Sequence, residues 1–222
     1  MTQIDNGTIQ YRDELVRKLI HLFSLSIPII YYFIPTSTSI IILSAFTAFA
    51  FVVDGGRFVS KSFAKLFYGM FGFLLRKHEL DKDKKNLTGA TYVLLSALIC
   101  ALIFPKVIFV TAFTILIISD TMAALIGRKF GKRKFLSKSL EGTLSFFISA
   151  SIVVLLTPKV GNYTMEFVIG FIAAFVSAIV ENISSGYADD NLSVPISAGL
   201  TMWILYYIFF PNLQLVLQNV PR

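Results

Sequence analysis

The sequence predicts an all-α polytopic integral membrane protein with about seven transmembrane helices. Its composition supports this class, because 55% of its 222 residues are hydrophobic and only 15% are charged. The mean hydropathy of +0.73 is also positive. A chain of this length accommodates about seven segments of ~20 residues, which leaves no room for a separate soluble domain. We therefore expect residues 1–222 to form a single membrane-embedded domain.

Seven apolar runs define the expected helices. Prolines fall at several of their predicted ends, where proline is tolerated. The only cysteine, Cys100, lies inside one of these runs, so no disulfide within the chain is expected. The predicted spans cover residues 15–34, 39–54, 88–105, 107–126, 142–158, 166–183 and 194–211.

The distribution of basic residues predicts the orientation in the membrane. If the N-terminus is cytoplasmic, every Lys and Arg except Lys106, Lys159 and Arg222 falls on the cytoplasmic side of these spans. Cytoplasmic loops are enriched in Lys and Arg, so this orientation is favoured. Topology and contact with anionic membrane lipids then explain the formal charge of +7, and no nucleic-acid partner is expected. The short chain favours a bacterial or archaeal cytoplasmic membrane over the endoplasmic reticulum.

Residues 57–75 are predicted to form an amphipathic helix that lies on the inner membrane surface. Arg57, Lys61 and Lys65 recur every four residues and therefore share one helical face. Apolar side chains occupy the opposite face, which is typical of an interfacial helix. Two roles stay open for this helix, a membrane anchor or a platform that guides a lipid headgroup.

An acidic residue, Asp120, interrupts the apolar run of residues 107–126. A carboxylate inside the hydrocarbon region is costly, and by default it indicates a functional site. We interpret Asp120 as a Mg²⁺ ligand and catalytic residue that acts beside phosphate groups. The alternative is a packing seam of small residues, including Ala124 and Gly127, in which the buried acid pairs with a lysine.

A basic loop follows this helix. It contains six Lys or Arg within the eleven residues 128–138, and Gly127 and Gly131 give its backbone conformational freedom. Such a loop has the positive charges and the backbone freedom that binding of a polyphosphate would need. The sequence does not match the G-x-x-x-x-G-K-[ST] pattern. A simple positive-inside loop is the alternative. The nucleotide-binding candidates here are Gly127, Arg128, Gly131, Lys132, Lys138 and Ser139, and Glu141 is a catalytic candidate.

A second acidic cluster precedes the last predicted span. Glu181, Asp189 and Asp190 fall in or beside an inner segment that contains no Lys or Arg. Carboxylates that face a basic loop on the same side of the membrane suit a metal ion bound to a triphosphate. All three are candidate metal ligands, and Asp189 and Asp190 are also catalytic candidates. The alternative is an Asp/Asn turn that ends one helix and caps the next.

The first span carries four ionisable residues on one face. Offsets of 0, 3, 4 and 7 place Glu14, Arg17, Lys18 and His21 on the same helical stripe. We interpret Arg17 and Lys18 as phosphate ligands and His21 as a catalytic residue that transfers a proton. Orientation signals and a buried core histidine are the alternatives. Weaker nucleotide-binding candidates, which helix capping explains equally well, are Thr88 and Gly89.

Together these motifs resemble the CTP-dependent polyprenol and lipid kinases, the family that contains dolichol kinase, phytol kinase and CTP-dependent diacylglycerol kinase. The resemblance extends from residues 14–21 (ELVRKLIH) to residues 189–192 (DDNL). Its most specific part is the Ser-Asp-Thr run at 119–121, with the Gly-Arg and Gly-Lys pairs and the run at 138–142 (KSLEG). The same core is similar to CDP-diacylglycerol synthases, from which this sequence differs at residues 137–140 and in lacking their long C-terminal signature.

The resemblance implies a kinase that transfers the γ-phosphoryl group of CTP to the hydroxyl of a lipid alcohol at the cytoplasmic interface, with Mg²⁺ as cofactor. The alcohol is a polyprenol or dolichol, a phytol-like alcohol or diacylglycerol, and the sequence does not choose among them. Two other hypotheses stay open: a phosphatidate cytidylyltransferase, and a transporter or scaffold without enzymatic activity. The general base is an Asp of the 189–190 pair or His21, and the sequence fixes neither this choice nor the oligomeric state.

Overall fold

The computed structural model describes residues 11–75, 79, 86–184 and 189–222. Within these residues the chain forms nine α-helices, one 3-10 turn (Gly72–Leu74) and one short hairpin, so the predicted all-α class is confirmed. The hairpin pairs β1 (Lys134–Phe135) with β2 (Lys138–Ser139). The helices are α1 Tyr11–Phe23, α2 Ser26–Phe33, α3 Thr36–Val59, α4 Lys61–Phe71, α5 Gly89–Ile103, α6 Lys106–Phe130, α7 Leu140–Leu156, α8 Thr164–Ile183 and α9 Asp190–Phe209.

Five helical segments in the described part of the chain are long and apolar enough to cross a membrane. They are Tyr11–Phe33, which combines α1 and α2, and the helices α3, α6, α8 and α9. The other two predicted spans also form apolar helices, but α5 and α7 have only 15 and 17 residues. The chain is therefore an integral membrane protein, and all seven predicted apolar runs are helical. The number of crossings and the cytoplasmic N-terminus stay predictions.

Helix α6 forms the centre of the bundle. It packs against α7 and α9, and α8 completes a four-helix group by packing against the same two helices. Small residues allow this close approach, because a Cβ at Gly170 of α8 would lie only 2.4 Å from Val154 of α7. The other helices are peripheral: α5 packs on α9, α3 packs on α5, and α1 and α2 pack on α6.

The first predicted span is interrupted by a turn at residues 24–25, which separates α1 from α2. Pro28 accounts for this break, because it lacks the N–H that a continuous helix would donate to the carbonyl four residues earlier. The only buried residues of α1 are the charged Glu14 and Lys18. Helix α1 is therefore held on the bundle largely by polar contacts, while its apolar side chains face outward.

The predicted interfacial helix of residues 57–75 begins later than expected. Helix α3 continues past Arg57, and Ser60 then caps α4 with its side-chain oxygen. Lys61 and Lys65 are exposed on α4, but Arg57 is buried at the end of α3. The prediction that Arg57 shares a helical face with the two lysines is wrong, because the cap at Ser60 separates the two helices.

Candidate active site

Buried charged side chains gather at one end of the helix bundle. Helices α1, α5, α7 and α9 begin at this end, and α3, α6 and α8 finish there. Ion pairs join α1 to α6 and join β2 to both α8 and α9, so these termini meet in space. The helix packing, and not proximity in sequence, assembles the cluster.

The first element of the cluster is an ion pair between Asp120 of α6 and Lys18 of α1. Oδ2 of Asp120 lies 2.5 Å from Nζ of Lys18 and 3.6 Å from Nε2 of His21. Nε2 of His21 is buried and has no hydrogen-bond partner among the described residues. A lysine partner is also what the packing-seam interpretation of Asp120 predicted, so burial of Asp120 alone does not make it a metal ligand.

The second element is Lys138, which contacts two acids from different helices. Its ammonium lies 2.5 Å from Oε1 of Glu181 in α8 and 3.8 Å from Oδ2 of Asp190 at the start of α9. Burial lowers the pKa of Lys138, but the charges of Glu181 and Asp190 outweigh this effect and raise the pKa above the usual lysine value. Lys138 is therefore a cation at neutral pH. Asp120 lies near enough to add to the same effect.

The third element is an ion pair between Glu14 and Arg128. Nη1 of Arg128, at the end of α6, lies 3.1 Å from Oε2 of Glu14. Arg17 lies 3.6 Å from the other oxygen of this carboxylate, and Nη1 of Arg17 has no hydrogen-bond partner in the described part of the chain. All four residues of the stripe predicted on the first helix therefore face the cluster. They are Glu14, Arg17, Lys18 and His21.

The glycines of the basic loop allow its backbone to pack closely. A Cβ at Gly131 would lie 2.2 Å from the carbonyl oxygen of Gly127 and 2.8 Å from Cβ of Ser139. Ser139 is buried and caps α7, since its hydroxyl accepts a hydrogen bond from the N–H of Gly142 at 3.2 Å. These three predicted residues, Gly127, Gly131 and Ser139, thus shape the junction between α6 and α7.

Glu141 binds the backbone of the same loop. Its Oε2 accepts hydrogen bonds from the N–H groups of Lys132 at 3.0 Å and Arg133 at 3.2 Å. The Lys132 side chain is exposed, unlike the ion pairs of the cluster. Through these contacts the Glu141 carboxylate positions the loop. Its catalytic role stays a prediction.

Thr88 and Gly89 open α5 beside another buried carboxylate. Asp54 accepts hydrogen bonds from the N–H of Thr88 at 2.8 Å and from the hydroxyl of Thr91 at 2.7 Å. Thr88 is also the N-cap of α5, as the alternative interpretation of this residue predicted. Gly89 is adjacent to the cluster, because a Cβ at this position would lie 3.3 Å from Nη2 of Arg17.

The neighbouring acids Asp189 and Asp190 make different contacts. Oδ1 of Asp189 accepts hydrogen bonds from the backbone and side-chain amides of Asn191, at 2.9 and 2.7 Å, and so caps α9. Asp190 is directed toward Lys138 instead. The sequence could not separate these two acids, because the position where α9 begins decides which of them becomes the cap.

Asn182 is a residue of this region that the sequence analysis missed. It is fully buried, and its Oδ1 accepts hydrogen bonds from the N–H groups of Ser137 at 2.8 Å and Lys138 at 3.2 Å. One asparagine near the end of an apolar helix carries no distinctive pattern. Its position next to Glu181 was the available signal.

Comparison with known proteins identifies a relative that matches nearly the whole chain. The chain is 31% identical over 196 residues to the uncharacterized protein RP860 of Rickettsia prowazekii, across 88% of this chain and 96% of that protein. The chain belongs to the same family as RP860. No family model and no solved structure matches it.

More distant relatives of the chain are named as lipid kinases. The chain is 26% identical over 169 residues to CTP-dependent diacylglycerol kinase 1 of Schizosaccharomyces pombe, across 70% of this chain and 76% of the kinase. It is 35% identical over 95 residues to dolichol kinase sec59 of the same organism, across 39% of this chain and 17% of that kinase. It is 31% identical over 96 residues to phytol kinase of Synechocystis, across 40% and 41% of the two chains. These relatives support the resemblance to the lipid kinases, while that to CDP-diacylglycerol synthases stays unconfirmed.

Proposed function

We propose that the chain is a membrane lipid kinase that transfers the γ-phosphoryl group of CTP to the hydroxyl of a lipid alcohol. The observation that carries this proposal is the buried cluster at one end of the bundle, in which two lysines meet three acids. These five residues, which form the first two elements of the cluster, are Lys18, Lys138, Asp120, Glu181 and Asp190. The distant relatives support the reaction class, since they are named diacylglycerol, dolichol and phytol kinases. The name of the diacylglycerol kinase supports CTP as the donor.

The charges of the cluster suit a triphosphate that carries a divalent ion. Charges buried in an apolar bundle are tolerated when each has a partner of opposite sign. A metal triphosphate can replace both partners of an ion pair, because its phosphates bind the cation and its metal binds the carboxylate. The exchange leaves no buried charge alone. The two pairs available for it are Lys18 with Asp120 and Lys138 with Glu181. Arg128 can also bind phosphate, because Arg17 lies 3.6 Å from the Glu14 carboxylate and remains its partner.

Mg²⁺ fits these acids as an ion that is shared with the nucleotide. The described residues contain no group of three or more His, Cys, Asp or Glu that would hold a metal by themselves. Mg²⁺ commonly binds one or two carboxylates and completes its octahedron with water and phosphate oxygens. Oε2 of Glu181 is buried without a hydrogen-bond partner in the described chain, so this oxygen is available to an ion. Asp120 and Asp190 lie near enough for their negative charges to repel each other, which a divalent cation would relieve.

We therefore propose that the one or two carboxylates that would hold Mg²⁺ come from Asp120, Asp190 and Glu181. Asp189 is left out of this set, because its carboxylate caps α9. When bound, the ion would neutralise charge on the phosphoryl oxygens.

The proposed reaction is a direct phosphoryl transfer. Lys18, Arg128 and Lys138 hold the phosphates of CTP. The hydroxyl oxygen of the lipid alcohol forms a bond to the γ-phosphorus, and the bond from that phosphorus to the bridging oxygen breaks, so CDP leaves with the electron pair. The hydroxyl proton passes to Asp190 or His21. Such a reaction depends mainly on positioning and charge neutralisation, which these residue types provide.

We further propose that this end of the bundle faces the cytoplasm and that α4 lies on the inner membrane surface. The cluster is at the end with most of the basic residues, whereas Lys106 and Lys159 are at the opposite end. Cys100 is buried, so single cysteines introduced at Lys61 and Asn162 can be labelled selectively. A membrane-impermeant maleimide added to intact cells should label the Asn162→Cys variant and not the Lys61→Cys variant. The reverse pattern would exclude this orientation.

An assay with labelled CTP tests the proposed reaction. The protein is reconstituted in vesicles that contain diacylglycerol, a polyprenol, phytol or phosphatidate, and CTP is labelled on the γ-phosphate or on the base. The γ label in the lipid product is the expected result. The base label in the product would instead identify a phosphatidate cytidylyltransferase. No labelled lipid and no CTP-dependent thermal shift would leave the transporter or scaffold hypothesis.

A further inference from the structure

We infer that Asn182 is the positioning residue for Lys138, an inference that rests on the proposed phosphate-binding role of that lysine. The Asn182 side chain uses both ends of its amide. Its oxygen accepts hydrogen bonds from the N–H groups of Ser137 and Lys138, at 2.8 and 3.2 Å. Its nitrogen donates to the hydroxyl of Thr143 at 2.6 Å. The side chain is fully buried, so these contacts fix its orientation.

The segment that Asn182 holds is a tight turn with an unfavourable backbone. Residues 136–137 connect β1 to β2, and the φ angle of Leu136 is +51°. Residues other than glycine rarely adopt this left-handed conformation. The Leu136 side chain is 52% exposed, so packing of this side chain does little to hold the turn. The two hydrogen bonds to Asn182 provide the restraint immediately after it.

Asn182 and its neighbour Glu181 hold Lys138 at two points. The Asn182 amide binds the backbone of Lys138, and the Glu181 carboxylate lies 2.5 Å from its ammonium. Both contacts come from the last turn of α8, so this helix end determines where the lysine charge lies. An aspartate at 182 would accept both N–H groups but would lose the donation to Thr143 and add a negative charge beside Glu181. Leucine, which has a similar shape, would remove all three hydrogen bonds.

A double-mutant cycle tests this role. The variants are Asn182→Leu, Lys138→Ala and the two combined, and the measurements are the Kd for CTP, the KM for CTP and kcat. We expect Asn182→Leu to weaken CTP binding about tenfold, because the lysine charge is misplaced. In the Lys138→Ala background, the same substitution should cause less than about a twofold further loss, because the group that it positions is already absent.

Two controls separate positioning from general stability. Ser184→Ala removes a 2.9 Å hydrogen bond to the Glu181 carbonyl at the same helix end, and it should leave the kinetic constants unchanged. Thr143→Val removes the partner of the amide nitrogen and should reproduce part of the Asn182→Leu loss. Thermal unfolding of every variant shows how much of each effect is loss of folded protein.

The outcomes distinguish this inference from the proposed function. If the losses from Asn182→Leu and Lys138→Ala multiply in the double variant, or if Asn182→Leu binds CTP normally, the positioning role is wrong while the kinase stands. If the wild-type protein neither binds CTP nor phosphorylates an alcohol, the proposed function fails and the positioning role fails with it.

Discussion

Lys18 and Asp120 are 102 residues apart in sequence, yet Nζ of Lys18 lies 2.5 Å from Oδ2 of Asp120. Both side chains are buried at the end of the bundle where the other ion pairs of the cluster lie. A buried ion pair is weak evidence for stability by itself, because desolvation of both charges opposes their attraction. Under the proposed function, the pair is part of a site in which charged ligands exchange for these partners.

Asp120→Asn should abolish CTP-dependent lipid phosphorylation without preventing expression. Asparagine has almost the same shape but lacks the charge that would hold Mg²⁺, so we expect kcat to fall by about 100-fold or more. The assay is transfer of the γ label of CTP into lipid. Asp189→Asn is the matched control: asparagine caps helices as well as aspartate does, so this variant should stay active. Turnover at the wild-type level in Asp120→Asn would refute the assignment.

Removing only the lysine of the Lys18–Asp120 ion pair should destabilise the protein. Lys18→Met leaves the Asp120 carboxylate buried without its closest cation, which typically costs about 3–5 kcal/mol. The double variant Lys18→Met and Asp120→Asn should recover most of this stability and remain inactive. Thermal unfolding in detergent measures both effects. A double variant no more stable than Lys18→Met would mean that the two charges do not depend on one another.

Glu141→Gln distinguishes a loop-positioning carboxylate from a catalytic one. The amide oxygen of glutamine can still accept hydrogen bonds from the N–H groups of Lys132 and Arg133, so the loop should be retained. We therefore expect kcat to stay within about threefold of wild type. Glu141→Ala removes the acceptor and should raise the KM for CTP. A loss of about 100-fold in kcat for Glu141→Gln would restore the catalytic role predicted from the sequence.

Gly131→Ala should disrupt the junction between α6 and β2. The added Cβ would lie 2.2 Å from the Gly127 carbonyl oxygen, so the backbone must move, at a cost of about 1–3 kcal/mol. Gly55→Ala is the matched control, because a Cβ at Gly55 meets nothing within 4 Å and alanine favours a helix. Unfolding temperatures and CTP affinity should fall for Gly131→Ala and not for Gly55→Ala. Equal behaviour of the two variants would contradict the observed packing.

The loop between α7 and α8 predicts a specific pH dependence of stability. Burial lowers the pKa of Lys159 to about 8 from its ordinary value of 10.5, and the nearby charge of Glu166 only partly opposes this. Between these two values the unfolded chain binds more protons than the folded protein, so stability should rise with pH across this window. Below about pH 8 both states are protonated and the penalty is fully present.

Lys159→Met tests this dependence. The variant loses hydrogen bonds to the carbonyls of Val154 and Thr157, so it should be less stable than wild type. It should also show a smaller alkaline increase in unfolding temperature between about pH 8 and pH 10, because partial burial of the Lys106 ammonium acts in the same way and leaves part of the increase in place. The measurement compares the two slopes, and an unchanged slope in the variant would assign the effect to other groups. Lys138 does not change stability in this window, because the stabilisation that accompanies its raised pKa is lost only as the pH rises above the ordinary lysine value.

Much of the fold could be predicted from the sequence. Each of the seven predicted apolar runs is helical. These runs could be recognised in the sequence because the preference of a side chain for an apolar environment is a local property. The errors are also local. Pro28 interrupts the first run. The cap at Ser60 places Arg57 and Lys61 in two different helices, although their four-residue spacing predicted a single one.

The candidate site was predicted only in part. The stripe of Glu14, Arg17, Lys18 and His21 follows from helical periodicity, and in the structure these residues lie beside the ion pairs of the cluster. The partners of these residues could not be predicted, because they depend on which helices are neighbours. Asn182 was missed for the same reason: its importance arises from the hairpin that packs against it.

By itself, the sequence determined that this is an apolar helical protein, and it determined which helices carry acidic and basic residues. Hydropathy and helical periodicity are properties of one segment at a time, so both follow from the sequence alone. Only the tertiary structure decided that Lys18 pairs with Asp120, that Lys138 joins Glu181 and Asp190, and that Asp189 becomes a cap. The physical reason is that a charge gains its partner through the packing of whole helices around α6, and this packing depends on contacts between residues far apart in the chain.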